Sequence, residues 1–273
     1  MKRLLQIEFI KLVTYTGFWL PAVFWAILFV LCLFLGTQIN INLPGLDSGT
    51  FFRFPALWNT TTWLASWFNL ILAIISMIFV CNEFSYRTFR QHVIDGLSRT
   101  ELFLGKVLLM FVFAFVGFIL VVASTLILGI FYNNSETWPL IFDTIYLPFV
   151  YFIQAFAYMT FAMMIALLIK NIGLSILTFF GYFIFFEPIV RNFFPENILM
   201  FFPMKVISNL TPAPDIFKMS TNAQFTTTIN GQVVSDAPTA VFEIPLWGNA
   251  LVAVGYVGLF LVISWYILKN KKL

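Results

Sequence analysis

The sequence predicts an all-α polytopic membrane protein, a single transmembrane domain of six spanning helices over residues 1–273. Three observations carry this. Only 10% of the residues are charged and 61% are hydrophobic, whereas a soluble domain carries about a quarter charged residues. The charges cluster and leave charge-free runs at 12–46, 54–82, 107–135, 144–169, 171–186 and 244–268. Five of these exceed the roughly 20 residues that a helix needs to cross the hydrocarbon core. The runs are apolar all round, as at 111–120, and lack the alternation of a transmembrane barrel. A helix also satisfies its own backbone, which the bilayer demands.

The elements follow in order. In residues 1–15, drawn as a helix, Leu5, Phe9, Leu12 and Val13 share one arc, away from Arg3, Glu8 and Lys11. That fits an interfacial helix; a straight extension of the first span is the alternative. Spans are expected at 17–36, 62–81, 104–131, 145–169, 172–190 and 246–268. The first apolar run is too long for a signal peptide and has no small-x-small cleavage site, so it is read as retained. Pro44-Gly45 is a turn signal in the loop 37–61. Lys170-Asn171 makes a tight connection, so the fourth and fifth spans form a helical hairpin. Cys32 and Cys81 fall near opposite membrane faces and cannot bridge, and they form no metal or redox motif. The pairs and singles of small residues at Ala162 and Ala166, Gly173, Gly181, Gly255 and Gly258 read as helix-packing sites.

With the amino terminus inside, the inner segments hold eleven basic residues and the outer segments four: Arg53, Arg191, Lys205 and Lys218. This bias places both termini in the cytoplasm and the chain in the inner (cytoplasmic) membrane. The external region 188–245, taken from the end of the fifth span at Glu187, holds seven of the twelve prolines. Within it, residues 197–210 are too apolar for a free loop and too short to span. The 16-residue run 171–186 covers about 24 Å as a helix, short of the roughly 30 Å core, and Pro188 removes a helical hydrogen bond. A re-entrant external segment is therefore expected. Asn230-Gly231 between β-formers predicts a hairpin. Glu187, Pro188 and Arg191 read either as a helix end with an i,i+4 ion pair or as a polar element of an outer gate.

The inner loop 82–103, up to Lys106, carries the most information. From Phe84 to Asp95 a helical projection gathers Tyr86, Phe89 and Val93 on one face, with Ile94 at its edge and Arg90 intruding; Thr88, Gln91, His92 and Asp95 lie opposite. His92 is alone and reads as solvated. Gly96 is a helix stop, and Ser98 with Glu101 forms a capping box. On periodicity alone this helix could simply anchor the loop to the membrane.

The run from Asn82 to Lys106 resembles the permeases of the type-2 ABC transporter family. Members carry a Glu after the second span, a Thr-Leu-Arg-like stretch, a Gly- or Pro-then-Ser-Arg turn, and a Lys opening the third span. Here these match Glu83, Thr88-Phe89-Arg90, Gly96-Leu97-Ser98-Arg99 and Lys106, with Tyr86-Arg87 where many members have a small residue or Gly. The resemblance implies a permease whose loop helix docks on a separate ABC ATPase subunit. It gives Glu83, Tyr86, Arg87, Phe89, Arg90, Val93, Ser98 and Arg99 the role of coupling to it. It also implies a second permease, identical or related, meeting this one along the first and fifth spans. No phosphate-binding loop occurs in the sequence, so ATP and Mg belong to the ATPase; no cofactor, metal or nucleic acid is expected on this chain. The competing readings are a structural membrane subunit of a larger envelope machine, and an intramembrane enzyme or secondary transporter. The last is weakest, because no span centre carries an ionisable residue.

Overall fold

The computed structural model describes residues 8, 9, 11, 16–38, 42–43, 46–47, 51–86, 88–135, 137–214, 227–229, 232–234 and 245–270. Six of its helical stretches are long and apolar enough to cross a membrane. The first is α1 (Thr16–Gln38). It turns Phe18, Trp25, Phe29 and Leu33 inward and leaves Leu20, Phe24, Ile27 and Phe34 uncovered, as a 3.6-residue period requires.

The second crossing starts earlier than expected and is broken. Helix α2 (Ala56–Trp67) and helix α3 (Asn69–Ser85) meet at Phe68. The hydroxyls of Thr61 and Thr62 donate back to the carbonyls of Leu57 and Trp58, at 2.9 and 2.7 Å, which satisfies them in an apolar setting. Thr61 also meets Thr125 of the third crossing at 2.7 Å.

The loop helix is shorter than the expected 84–95. Phe84 and Ser85 continue α3, and α4 covers only Thr88–Ile94. Gly96 follows with a φ of 91°, a conformation that glycine adopts without cost. The third crossing, α5 (Arg99–Tyr132), begins at the expected Ser98 cap. A 3₁₀ turn (Trp138–Phe142) leads into α6 (Leu147–Ile169). Lys170 then takes a left-handed φ of 61°, and the Asn171 side chain caps α7 (Ile172–Gly181), giving the tight hairpin.

The fifth crossing passes through a π-helical stretch (Tyr182–Phe186) into α8 (Glu187–Arg191). The helix stops there, and α9 (Glu196–Leu199) and α10 (Pro203–Ser208) follow. The last crossing is α11 (Leu246–Asn270). A short strand pair, β1 (Asn42–Leu43) with β2 (Leu46–Asp47), flanks the turn signal at Pro44-Gly45. The expected hairpin strands pair as β3 (Thr227–Ile229) with β4 (Gln232–Val234).

Helix α6 is the axis of the bundle and packs on α3, α5 and α11. Ala155, Ala157, Ala162 and Ala166 are fully buried along it, so neighbouring backbones approach closely. The expected glycine packing sites need correction. A Cβ at Gly181, Gly255 or Gly258 would meet nothing within 4 Å, and one at Gly173 only its own Asn171. The close contacts fall at Gly129, against the Phe54 ring at 2.9 Å, at Gly105, against Glu8 at 3.3 Å, and at Gly117, against the Tyr151 hydroxyl at 3.3 Å. Of the apolar arc at the amino terminus, Leu5, Leu12 and Val13 lie outside the described residues; Phe9 is exposed.

Candidate functional site

One end of the bundle carries α4 together with Glu8, Lys11 and the last turn of α11; it is called the loop end. Four charged side chains converge there from three places. Lys106, in the second turn of α5, lies 2.7 Å from Glu8 and 2.5 Å from Glu83 at the foot of α3. Lys11 reaches the same two carboxylates at 3.2 and 2.9 Å. Glu8, Glu83 and Lys106 are buried, and Lys106 also lies over the Phe79 ring at 3.7 Å. Gly105 leaves the room that the Glu8 side chain fills. Two acids and two bases balance, which lets the group persist away from water. Burial disfavours the charged form of Lys11, but Glu83 and Glu8 outweigh it and hold its pKa above the ordinary value.

A second tie closes the loop on its other side. Arg99 donates to the last carbonyls of α11, Leu268 at 3.5 Å and Lys269 at 2.6 Å, a favourable place for a cation. Between the two ties, Ser98 accepts from the Glu101 amide at 3.2 Å while the Glu101 carboxylate accepts from the Ser98 amide at 2.8 Å. The expected capping box is present.

The expected coupling residues divide. Glu83 is buried in the ion cluster, and Arg99 holds the end of α11. Phe89 is 2% exposed and packs on Phe84 with ring centroids 4.8 Å apart; Val93 packs against the same core. The apolar face of the loop helix therefore turns into its own bundle, a correction to the outward face expected. Shortening of α4 is the cause: with Phe84 in α3, Phe89 meets it across the bend. Tyr86, Gln91, Ile94 and Asp95 remain exposed, Ile94 at 78%. Ser98 is exposed as well. Arg87 and the side chain of Arg90 lie outside the described residues. His92 is half-buried, with Nε2 enclosed and unpartnered, and so less solvated than expected. Burial and then the Lys11 charge lower its pKa.

At the far end, Glu187 and Arg191 do not form the expected ion pair. The Glu187 carboxylate instead accepts from the amides of Met204 and Lys205, at 2.9 and 2.8 Å, capping α10. It is drawn there because those amides, in the first turn of a helix, have no partner within it. Arg191 lies near this carboxylate, but its Nε is buried without a hydrogen-bond partner. Pro188 is exposed in the first turn of α8. Helix α10 returns onto α6 and α11, burying Met204, Val206 and Ile207.

A family description, the ABC-2 family transporter protein, matches residues 4–186. The chain belongs to the ABC-2 transporter family. No curated protein matches it. The matched stretch contains the ion cluster, α4 and the capping box, and ends one residue before Glu187. An ABC-2 chain of this kind is a multi-pass membrane permease component of an ABC transporter; members associate with an ABC ATPase and often dimerise. Sequence reasoning quoted Lys106 as a motif residue but gave no role to it, to Glu8 or to Lys11. The signal lay in Glu8 and Lys11, three residues apart in an apolar stretch, with Glu83 and Lys106 bounding the loop. The amides Asn69, Gln154 and Asn249, inside apolar crossings, passed unnoticed.

Proposed function

We propose that this ABC-2 permease drives export, with a separate ATPase seated at the loop end and a second permease meeting the first and fifth crossings. The loop end is then cytoplasmic, in agreement with the eleven-to-four basic asymmetry. ATP and Mg are handled by the ATPase.

The observation that carries this reading is the attachment of α4. One side of it is tied through Glu83 and Lys106 to α3, α5 and the amino-terminal residues, the other through Arg99 to α11. Force on its exposed face reaches three crossings without slack. The exposed residues there include Tyr86, Gln91, Ile94 and Asp95. An exposed isoleucine and an exposed tyrosine on one short loop, with polar Gln91 and Asp95, are the composition of a small interface anchor. Low coverage of the first and fifth crossings, whose apolar windows are 22% and 17% buried, supports the second permease there.

The test is copurification of the ATPase with tagged permease. Ile94→Asp lowers the recovered ATPase roughly fivefold or more. Phe89→Ala lowers thermal stability but leaves ATPase per folded permease unchanged. Equal recovery with Ile94→Asp and with the parent chain rules out this docking face.

A further inference from the structure

Helix α10 is six residues long, too short to persist unaided, yet side chains from three crossings hold it. Glu187 takes its first amides. Asn249 of α11 donates to the Val206 carbonyl at 2.9 Å. Gln154 of α6 donates to the carbonyls of Ile207 and Ser208 at its other end, at 2.9 and 3.3 Å, and to the Thr211 hydroxyl at 3.0 Å. Gln154 is 1% exposed, and its own carbonyl accepts from Asn69 at 3.2 Å.

Asn69 is the first residue of α3, just past the break at Phe68. It is completely buried, and its Oδ1 has no partner. A buried acceptor left open is costly and marks an arrangement that a small shift can complete. The other end of α3 carries Glu83, in the ion cluster that bounds the loop. Helix α3 is thus a rod of about 25 Å with the loop at its foot and the hold on α10 at its head.

We propose that Asn69 and Gln154 are positioning residues that latch α10 to the head of α3, so that displacement of the loop frees or seats α10 at the far end. This rests on the ATPase-coupled reading given above. The break at Phe68 lets α3 move while α2 stays with α5 through Thr61 and Thr125. Because Gln154 grips the carbonyl end of α10 while Glu187 and Asn249 hold its amide end and middle, loss of the Gln154 grip frees the carbonyl end, with α10 still hinged on the fifth crossing and α11.

The experiment uses the permease–ATPase complex with Cys32→Ser, Cys81→Ser and Ser208→Cys. Labelling of position 208 by a membrane-impermeant maleimide is measured with and without ATP and Mg. In the parent complex, labelling changes roughly fivefold on ATP turnover, the factor for one net hydrogen bond. Asn69→Leu and Gln154→Leu label at the high level in both states, with the ATPase still bound and its basal turnover kept. Thr211→Val, which removes only a hydroxyl, shifts the ratio the same way by less and serves where the larger changes impair folding. Labelling that follows nucleotide in Asn69→Leu and Thr211→Val as in the parent overturns the latch. A parent permease that retains no ATPase overturns the coupling reading instead.

Discussion

Lys106 sits between two carboxylates, over an aromatic ring, in a place with almost no water. Desolvation offsets much of the attraction in such a group, so the intact cluster contributes more to register than to net stability. Its members are nevertheless strongly coupled. Glu83→Gln leaves two ammonium groups with one carboxylate and costs about 3–5 kcal/mol. Adding Lys106→Met restores neutrality and recovers most of the loss. Thermal unfolding in detergent measures both, and a double variant no better than the single one shows the charges to be independent. Glu83 and Lys106 were legible in the sequence as bounds of the loop. Their mutual contact was not, because nothing in the spacing says that Glu8 folds back 98 residues to complete the balance.

At the scale of elements, boundaries followed local chemistry where that chemistry was strong. Ser98 and Glu101 fixed the start of α5, the short fifth run and Pro188 foretold a stop before the apolar segment, and Asn230-Gly231 foretold the β3–β4 pairing. Ser98→Ala removes a cap for about 1 kcal/mol and frays the first turn of α5, where Arg99 reaches α11. Hydrogen exchange of the amides of 99–102 is expected to quicken roughly fivefold, with the core of α6 unaffected; unchanged exchange shows that the tie to α11 alone holds this turn. The loop helix was misread because amphipathic periodicity continues across the bend at Tyr86. The projection could not tell an apolar face that seeks a partner from one that finds its own bundle. Glu187 was misread for a related reason: Arg191 is its neighbour in sequence, but the amides of α10 offer two aligned donors.

At the scale of the molecule, six crossings and their hydropathy were plain from composition, since the bilayer leaves few alternatives. What composition could not give was the order of coverage. Helix α6 is buried along most of its length, whereas α1 and the fifth crossing lie open. If a second permease covers them, cysteines placed at Leu20 and Leu177, both exposed, crosslink between copies in the membrane. Crosslinks confined to α11 exclude this arrangement. The fifth crossing also has a bearing on how the sequence can change over time. Its π stretch, where the Glu187 amide reaches the Tyr182 carbonyl, holds one more residue than an α-helical path would. Removing a residue there would rotate everything beyond it by about 100° and swing the Glu187 carboxylate from α10 toward lipid. At its exposed positions, Ile184, Phe185 and Phe186, this stretch can accept new side chains but not a new length, so insertions and deletions are barred where substitutions pass.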